Sequence, residues 1–246
     1  MSALFKLTAV ETRLFLREPI VVFFAVAFAP VLLVVLGLVP SMREPVEELG
    51  GMRMIDIYLP IIVAMGIALF ALSGLSQLFA TYREKGVLRR LRTTPVKPGV
   101  MIGAQLLMAT AMSVVTMLVM LAIGRFGFDV GLPGQLPAYL VSYLLVALAM
   151  FAIGLLVAAL APSGRSASAI GSLVFFPLVF FAGLWVPRDT MNDVLHTISD
   201  YTPLGAGVQS LQDATAGHWP HPLHLAVLVG WTILAGGLAA RHFRWE

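Results

Sequence analysis

Long stretches of this chain carry no charge at all, and that absence constrains its fold more than any motif. Six uncharged stretches of 20 or more residues cover 19–42, 57–82, 98–124, 130–164, 166–187 and 214–240. A helix rises about 1.5 Å per residue, so about 20 apolar residues cross a hydrocarbon core about 30 Å thick. Each stretch therefore holds one crossing, and none holds two. The fourth opens with the turn-rich run Gly131-Leu132-Pro133-Gly134-Gln135-Leu136-Pro137, so its span starts near Ala138. The expected spans cover about 20–39, 57–80, 99–123, 138–161, 167–186 and 222–240 of a single membrane domain, 1–246. With 59% apolar and 12% charged residues, the chain has too little ionic surface for a soluble fold and too much apolar content for disorder. No cysteine is present, which rules out disulfides, cysteine-ligated zinc and iron–sulfur clusters. The first apolar run follows Glu11 and Glu18, is longer than a signal core of about 7–15 residues and lacks a small-x-small site, so it is expected to remain in the mature chain.

Basic residues orient the spans. With a cytoplasmic N-terminus, 12 of the 16 Lys and Arg fall inside, and Arg43, Arg53, Arg125 and Arg188 fall outside. That asymmetry places both termini in the cytoplasm. Nine of the 13 acidic residues then lie outside, so the basic balance needs no nucleic-acid partner. Arg outnumbers Lys 13 to 3 and Ala is abundant, a composition that points to a bacterium of high genomic GC content and its plasma (inner) membrane.

Residues 2–18 form an amphipathic helix before the first span. Lys6, Arg13 and Arg17 cluster on one side and Leu4, Leu7, Val10, Leu14 and Phe15 on another, as suits a helix on the inner membrane surface. Glu11 falls within the apolar arc, either as an edge residue that snorkels to water or as an ion-pair partner. Between spans five and six, Met191, Val194, Leu195 and Ile198 recur at helical spacing, with Asp189 or Thr190 placed to cap the start. Short amphipathic pieces over about 188–212 are expected to dip back into the outer leaflet.

The cytoplasmic loop after span two, from Tyr82 to Pro95, has the richest chemistry. Val87, Leu88 and Leu91 make one side of a short helix over about 82–93, stopped by Pro95 and Pro98. A basic inside loop alone would need no such apolar stripe, nor the embedded Glu84-Lys85-Gly86. The stripe offers a surface to a cytoplasmic partner. His218, His221 and His224 recur every three residues, but Pro220 and Pro222 break the helix that would align them, and the nearest carboxylate in sequence is Asp213. An interfacial Trp/His belt fits them better than a metal site. No GxxxxGK[ST], HExxH or GxSxG occurs, so the chain carries no catalytic motif and no phosphate loop of its own. Apart from His224 near the start of the sixth, the spans hold no Asp, Glu, Lys, Arg or His, the groups through which ion-coupled transporters work, so any transport is expected to draw its energy from elsewhere. Ser73, Ser76, Gln77, Gln105, Thr110, Ser113, Thr116, Ser142, Ser168 and Ser172 read mostly as helix–helix hydrogen bonds, and Gly66, Gly74 and Gly154-x-x-x-Ala158 as close-packing sites. Span five is rich in Phe and broken by Pro177, with Phe176, Phe180 and Leu184 on one stripe, suited to subunit packing or to the wall of a lipophilic path.

Together these segments resemble the membrane subunits (permeases) of type-2 ABC exporters, the group that includes drug, antibiotic and lipid efflux systems. The resemblance rests on Arg17-Glu18-Pro19 with Pro30 and on Tyr82-Arg83-Glu84-Lys85-Gly86 through Leu91 and Thr94-Pro95. It rests also on the run from Phe175 through Gly183-Leu184-Trp185-Val186-Pro187 to Tyr201-Thr202-Pro203-Leu204. It implies an all-α integral membrane fold of six transmembrane helices, with an N-terminal connecting helix, a cytoplasmic coupling helix and outer re-entrant helices. It also implies a homodimer docked on two copies of an ABC ATPase subunit, which bind the ATP and Mg; this chain itself would hold no cofactor or metal and would not be an enzyme. By the same resemblance, Arg83, Glu84, Gly86, Leu88, Leu91 and Arg92 would engage the ATPase, and Met65, Leu69, Leu72, Phe176 and Phe180 would line the path. The apolar spans and mild polar groups suit an amphiphilic drug, antibiotic or lipid substrate, entered from the membrane, better than a polysaccharide. The alternatives are a self-contained secondary transporter or channel, or a non-transporting assembly subunit.

Overall fold

The computed structural model describes residues 3–47, 51–87 and 98–242, and among these it is built of helices. Helix α1 is Ala3–Leu16, followed after a turn by α2 (Pro19–Val22), a π turn Phe23–Ala27 and α3 (Phe28–Gly37), which run on without a break. Next come α4 (Met54–Leu69), a second π turn Phe70–Leu75 and α5 (Ser76–Glu84). Then follow α6 (Pro98–Ala122) with a π turn Ile123–Gly127, α7 (Leu136–Leu160), α8 (Gly164–Phe181), α9 (Asp193–Tyr201), α10 (Pro203–Thr215) and α11 (Pro222–His242).

Five helical segments are long and apolar enough to cross a membrane: Met54–Glu84, Gly99–Gly127, Leu136–Leu160, Gly164–Phe181 and Pro222–His242. The stretch expected as the first span contributes a shorter apolar helix, Phe23–Gly37, which begins with the π turn. Met54–Glu84 is the central element, with 78% of its most apolar window buried against the rest of the chain. Helix α7 lies beside it and carries α10 and α11 on its flank. Lipid tails are as apolar as leucine, so these helices are held by close packing rather than by escape from water. Small residues supply that closeness: Ala64, Ala68, Ala71, Ala147 and Ala149 are all buried. Large side chains such as Leu173, Ile233 and Phe126 point outward instead.

The π turn at Phe70–Leu75 displaces its carbonyls, and two glycines receive them. A Cβ on Gly154 would press into the Ala71 carbonyl, and one on Gly171 into that of Leu72. Backbone atoms cannot swing aside as a side chain can, so both positions require glycine. The close-packing role expected of Gly154 is the one the fold gives it. The mild polar groups behave differently from expectation. Thr110, Ser113, Thr116 and Ser172 donate to carbonyls three or four residues back in their own helices, and Ser76 does the same to Leu72. A hydroxyl in an apolar setting takes the nearest acceptor, which is its own helix backbone. Ser142, to the Ser210 carbonyl at 3.4 Å, Gln105, to Glu11, and Ser113, to the Tyr143 hydroxyl, reach other elements.

The segment expected on the outer side folds as two short helices, α9 and α10. Asn192, not Asp189 or Thr190, caps α9 by accepting from the Leu195 N–H at 2.9 Å, and Thr202 caps α10 through the Gly205 N–H at 3.1 Å. Helix α10 buries Leu204, Val208, Leu211 and Ala214. Helix α8 passes through Pro177 without breaking and ends at Phe181, so Leu184 lies beyond the helical stripe expected for Phe176 and Phe180. Behind this cap, buried Arg188 donates to the Gly205 carbonyl at 2.7 Å and pairs with Asp200, which also meets His224 Nε2 at 3.3 Å. His224 turns to Asp200, while His221 Nδ1 accepts from the Leu223 N–H at 3.3 Å and its ring packs against that of His224, centroids 5.8 Å apart.

Candidate coupling site

The helical run that begins at Met54 does not stop near residue 80, where the second span was expected to end. It continues through Tyr82, Arg83 and Glu84, with Lys85 at its C-cap and Gly86 just beyond at φ 66°. The Gly86 N–H returns to the Arg83 carbonyl at 3.0 Å. A positive φ at that position is the usual way to turn a chain sharply off a helix, and only glycine adopts it without strain. Gly86 therefore fixes where the loop departs. Of the other residues expected to couple, Leu88, Leu91 and Arg92 lie outside the described residues.

Three successive side chains at this helix end grip three different elements. The Tyr82 hydroxyl donates to Glu11 of α1 at 2.9 Å. The Arg83 guanidinium donates to the Ala159 carbonyl at 3.0 Å and to that of Ala161, the free carbonyls at the end of α7. The Glu84 carboxylate accepts from the Gly164 N–H at 3.0 Å, at the start of α8. A cation at a helix C-terminus and an anion at an N-terminus each complement the helix dipole, by about 0.3–1 kcal/mol apiece at exposed sites. Arg83 and Glu84 thus hold both sides of the Ala161-Pro162-Ser163 turn between α7 and α8. Ser163 adds its own capping box with Ser166, accepting from the Ser166 N–H at 3.2 Å while its own N–H donates to Ser166 Oγ at 2.9 Å.

Glu11 completes the junction, in neither way expected of it. It is 6% exposed, so it does not snorkel, and no basic side chain among the described residues pairs with it. Instead Tyr82 and Gln105 both donate to one of its oxygens, which ties α1 to the second and third spans. Burial raises its carboxyl above the ordinary value, and the two hydrogen bonds offset only part of that rise. Phe15, one turn further along α1, packs on Phe70 with ring centroids 5.7 Å apart. The apolar arc of α1 is consequently split. Glu11 and Phe15 face inward toward the spans, while Val10 and Leu14 are exposed.

The expected path residues do not share one surface within the chain. Met65 and Leu72 are buried in the core, and Leu69 and Phe180 are half-buried. Phe176 is 58% exposed and stacks on Trp185 with centroids 6.3 Å apart. The partners of Arg83 and Glu84 were not expected, because backbone carbonyls and N–H groups have no sequence signature. Ala161-Pro162-Ser163 does mark a helix stop followed by a cap, and that signal could have pointed to the turn they hold.

Comparison with known proteins agrees with this architecture. The family model described as ABC-2 type transporter matches residues 2–215, from α1 to the end of α10. No curated protein matches the chain.

Proposed function

The chain belongs to the ABC-2 type transporter family, as a multi-pass membrane component, and from that premise we propose that it is the non-catalytic permease of an ATP-driven exporter. Two copies pair in a bacterial plasma membrane over two ATPase subunits, which bind the ATP and Mg. The cargo is an amphiphilic drug, antibiotic or lipid, moved out of the cytoplasm or inner leaflet. Six spans are counted by taking the unbroken run from Pro19 to Gly37 as the first, and both termini lie in the cytoplasm.

The observation that carries this reading is the grip of Tyr82, Arg83 and Glu84 on α1, α7 and α8. A force on the loop beyond Gly86 passes directly into three elements, one of which, α8, is the fifth span. ATP-driven motion of a partner against that loop would rock the fifth span against the core, a rigid-body route to alternating access. In this scheme Leu88 and Leu91 seat in the ATPase, flanked by Arg92, while Arg83 and Glu84 transmit the motion.

Co-expression with candidate ATPase subunits tests the reading, with ATP hydrolysis measured in the membrane complex. Stable assembly is expected, with Leu91→Asp preventing it and Glu84→Ala assembling but uncoupling hydrolysis from substrate. If no ATPase associates, or both variants hydrolyse ATP like the parent, the docking assignment is wrong and a self-contained transporter takes its place.

A further inference from the structure

Two polar stripes face each other across a groove at the Glu84 end of the second and fifth spans. On α5, Gln77, Thr81 and Glu84 recur at helical spacing; on α8, Arg165, Ser168 and Ser172 do the same. Between them lies an open cavity of about 710 Å³, large enough for a small-molecule head group. Gln77 and Ser172 stand seven residues from Glu84 and Arg165, so the groove reaches about 10 Å from the charged edge into the apolar segments.

Such a face is costly in lipid. Hydrocarbon offers no hydrogen bonds, and a polar side chain left facing it goes unsatisfied. Ser172 satisfies itself on the Ser168 carbonyl at 3.0 Å. No hydrogen bond within the described residues takes up the side chains of Gln77, Thr81 or Ser168. These three therefore hold donors and acceptors that are uncharged and line the cavity, the Thr81 hydroxyl at the edge beside Gly164. Among the described lining residues the charges sit only at the mouth, where Glu84 is already engaged by the Gly164 N–H and Arg165 is exposed.

Resting on the transport reading above, we propose that this groove receives the polar head of the amphiphile, and that the head it selects is uncharged and rich in hydroxyl or amide groups. Hydroxyl and amide side chains can both give and accept hydrogen bonds, which suits a head that does the same. A charged head would meet no counter-charge beyond the mouth and would lose its hydration for little return. The tail is left to the apolar surface of α8.

The cysteine-free chain makes the groove directly addressable. Ser168→Cys, with Ala169→Cys as a second position on the same lining, is reacted with N-ethylmaleimide in the full chain reconstituted in lipid nanodiscs. Octyl glucoside, octyltrimethylammonium and octyl sulfate are added below the level that dissolves the discs. Octyl glucoside is expected to slow labelling at both positions while the two charged amphiphiles do not. Adding Gln77→Leu should weaken that protection about tenfold, the loss of one or two hydrogen bonds. The proposal is overturned if none of the three amphiphiles slows labelling, if a charged one protects as well as octyl glucoside, or if neither cysteine labels at all because the groove is covered. The labelling needs no ATPase, so failure of the groove is distinct from failure of the subunit to assemble with one.

Discussion

Glu11 is the residue whose behaviour departs most from its surroundings on paper. Its burial raises the native carboxyl above the ordinary value of 4.5. The native state therefore keeps a proton that the unfolded chain releases. The stability it contributes is full below about pH 4.5 and is lost as pH rises through the raised native value. A thermal melt followed by tryptophan fluorescence in detergent should show the parent losing stability over that window. Glu11→Gln, which keeps an acceptor for Tyr82 and Gln105, should flatten the dependence and be at least as stable near neutrality. A parent that gains stability across the same window would show that Glu11 is not buried as described. The place of Glu11 in the apolar arc of α1 was visible in the sequence, but its burial and its partners were not. Tyr82 and Gln105 lie 71 and 94 positions away, and nothing local announces them.

Among elements, the π turn at Phe70–Leu75 decides how closely the second span meets α7 and α8. Gly171→Ala would drive a Cβ into the Leu72 carbonyl, and Gly154→Ala one into that of Ala71. Each should destabilise by about 1–3 kcal/mol, the usual cost of overpacking, because backbone must move to make room. Gly230 on α11 has nothing within 4 Å of such a Cβ, so Gly230→Ala should be neutral or mildly stabilising through helix propensity. Melting temperatures of the three variants in one detergent check the order; equal shifts would mean that the helices do not meet as described. The π turns had no signal in the sequence, since that across Phe70–Leu75 differs in no obvious way from ordinary helix. Of the coupling helix expected over 82–93, residues 82–84 are the end of α5, because no breaker stands before Gly86, and 88–93 lie outside the described residues.

For the whole molecule, the charge asymmetry makes a direct prediction about sidedness. In intact cells, a membrane-impermeant maleimide should label a single cysteine at His218, in the turn before the last span, and should fail to label one at Lys6 until the cells are opened. The opposite pattern would invert the topology and move the Tyr82–Glu84 junction to the outer face. What the sequence alone determined was set by solvent: uncharged stretches must leave water, so the membrane character and the helical build follow from composition along the chain. The family likeness rode on motifs that are themselves local. Which helix lies at the centre, which glycines receive displaced carbonyls, and what Glu11, Arg83 and Glu84 hold were decided only by tertiary structure. Each of those depends on a backbone group or side chain brought close from far along the chain, and in lipid the helices choose such partners by shape rather than by a hydrophobic pattern that sequence could display.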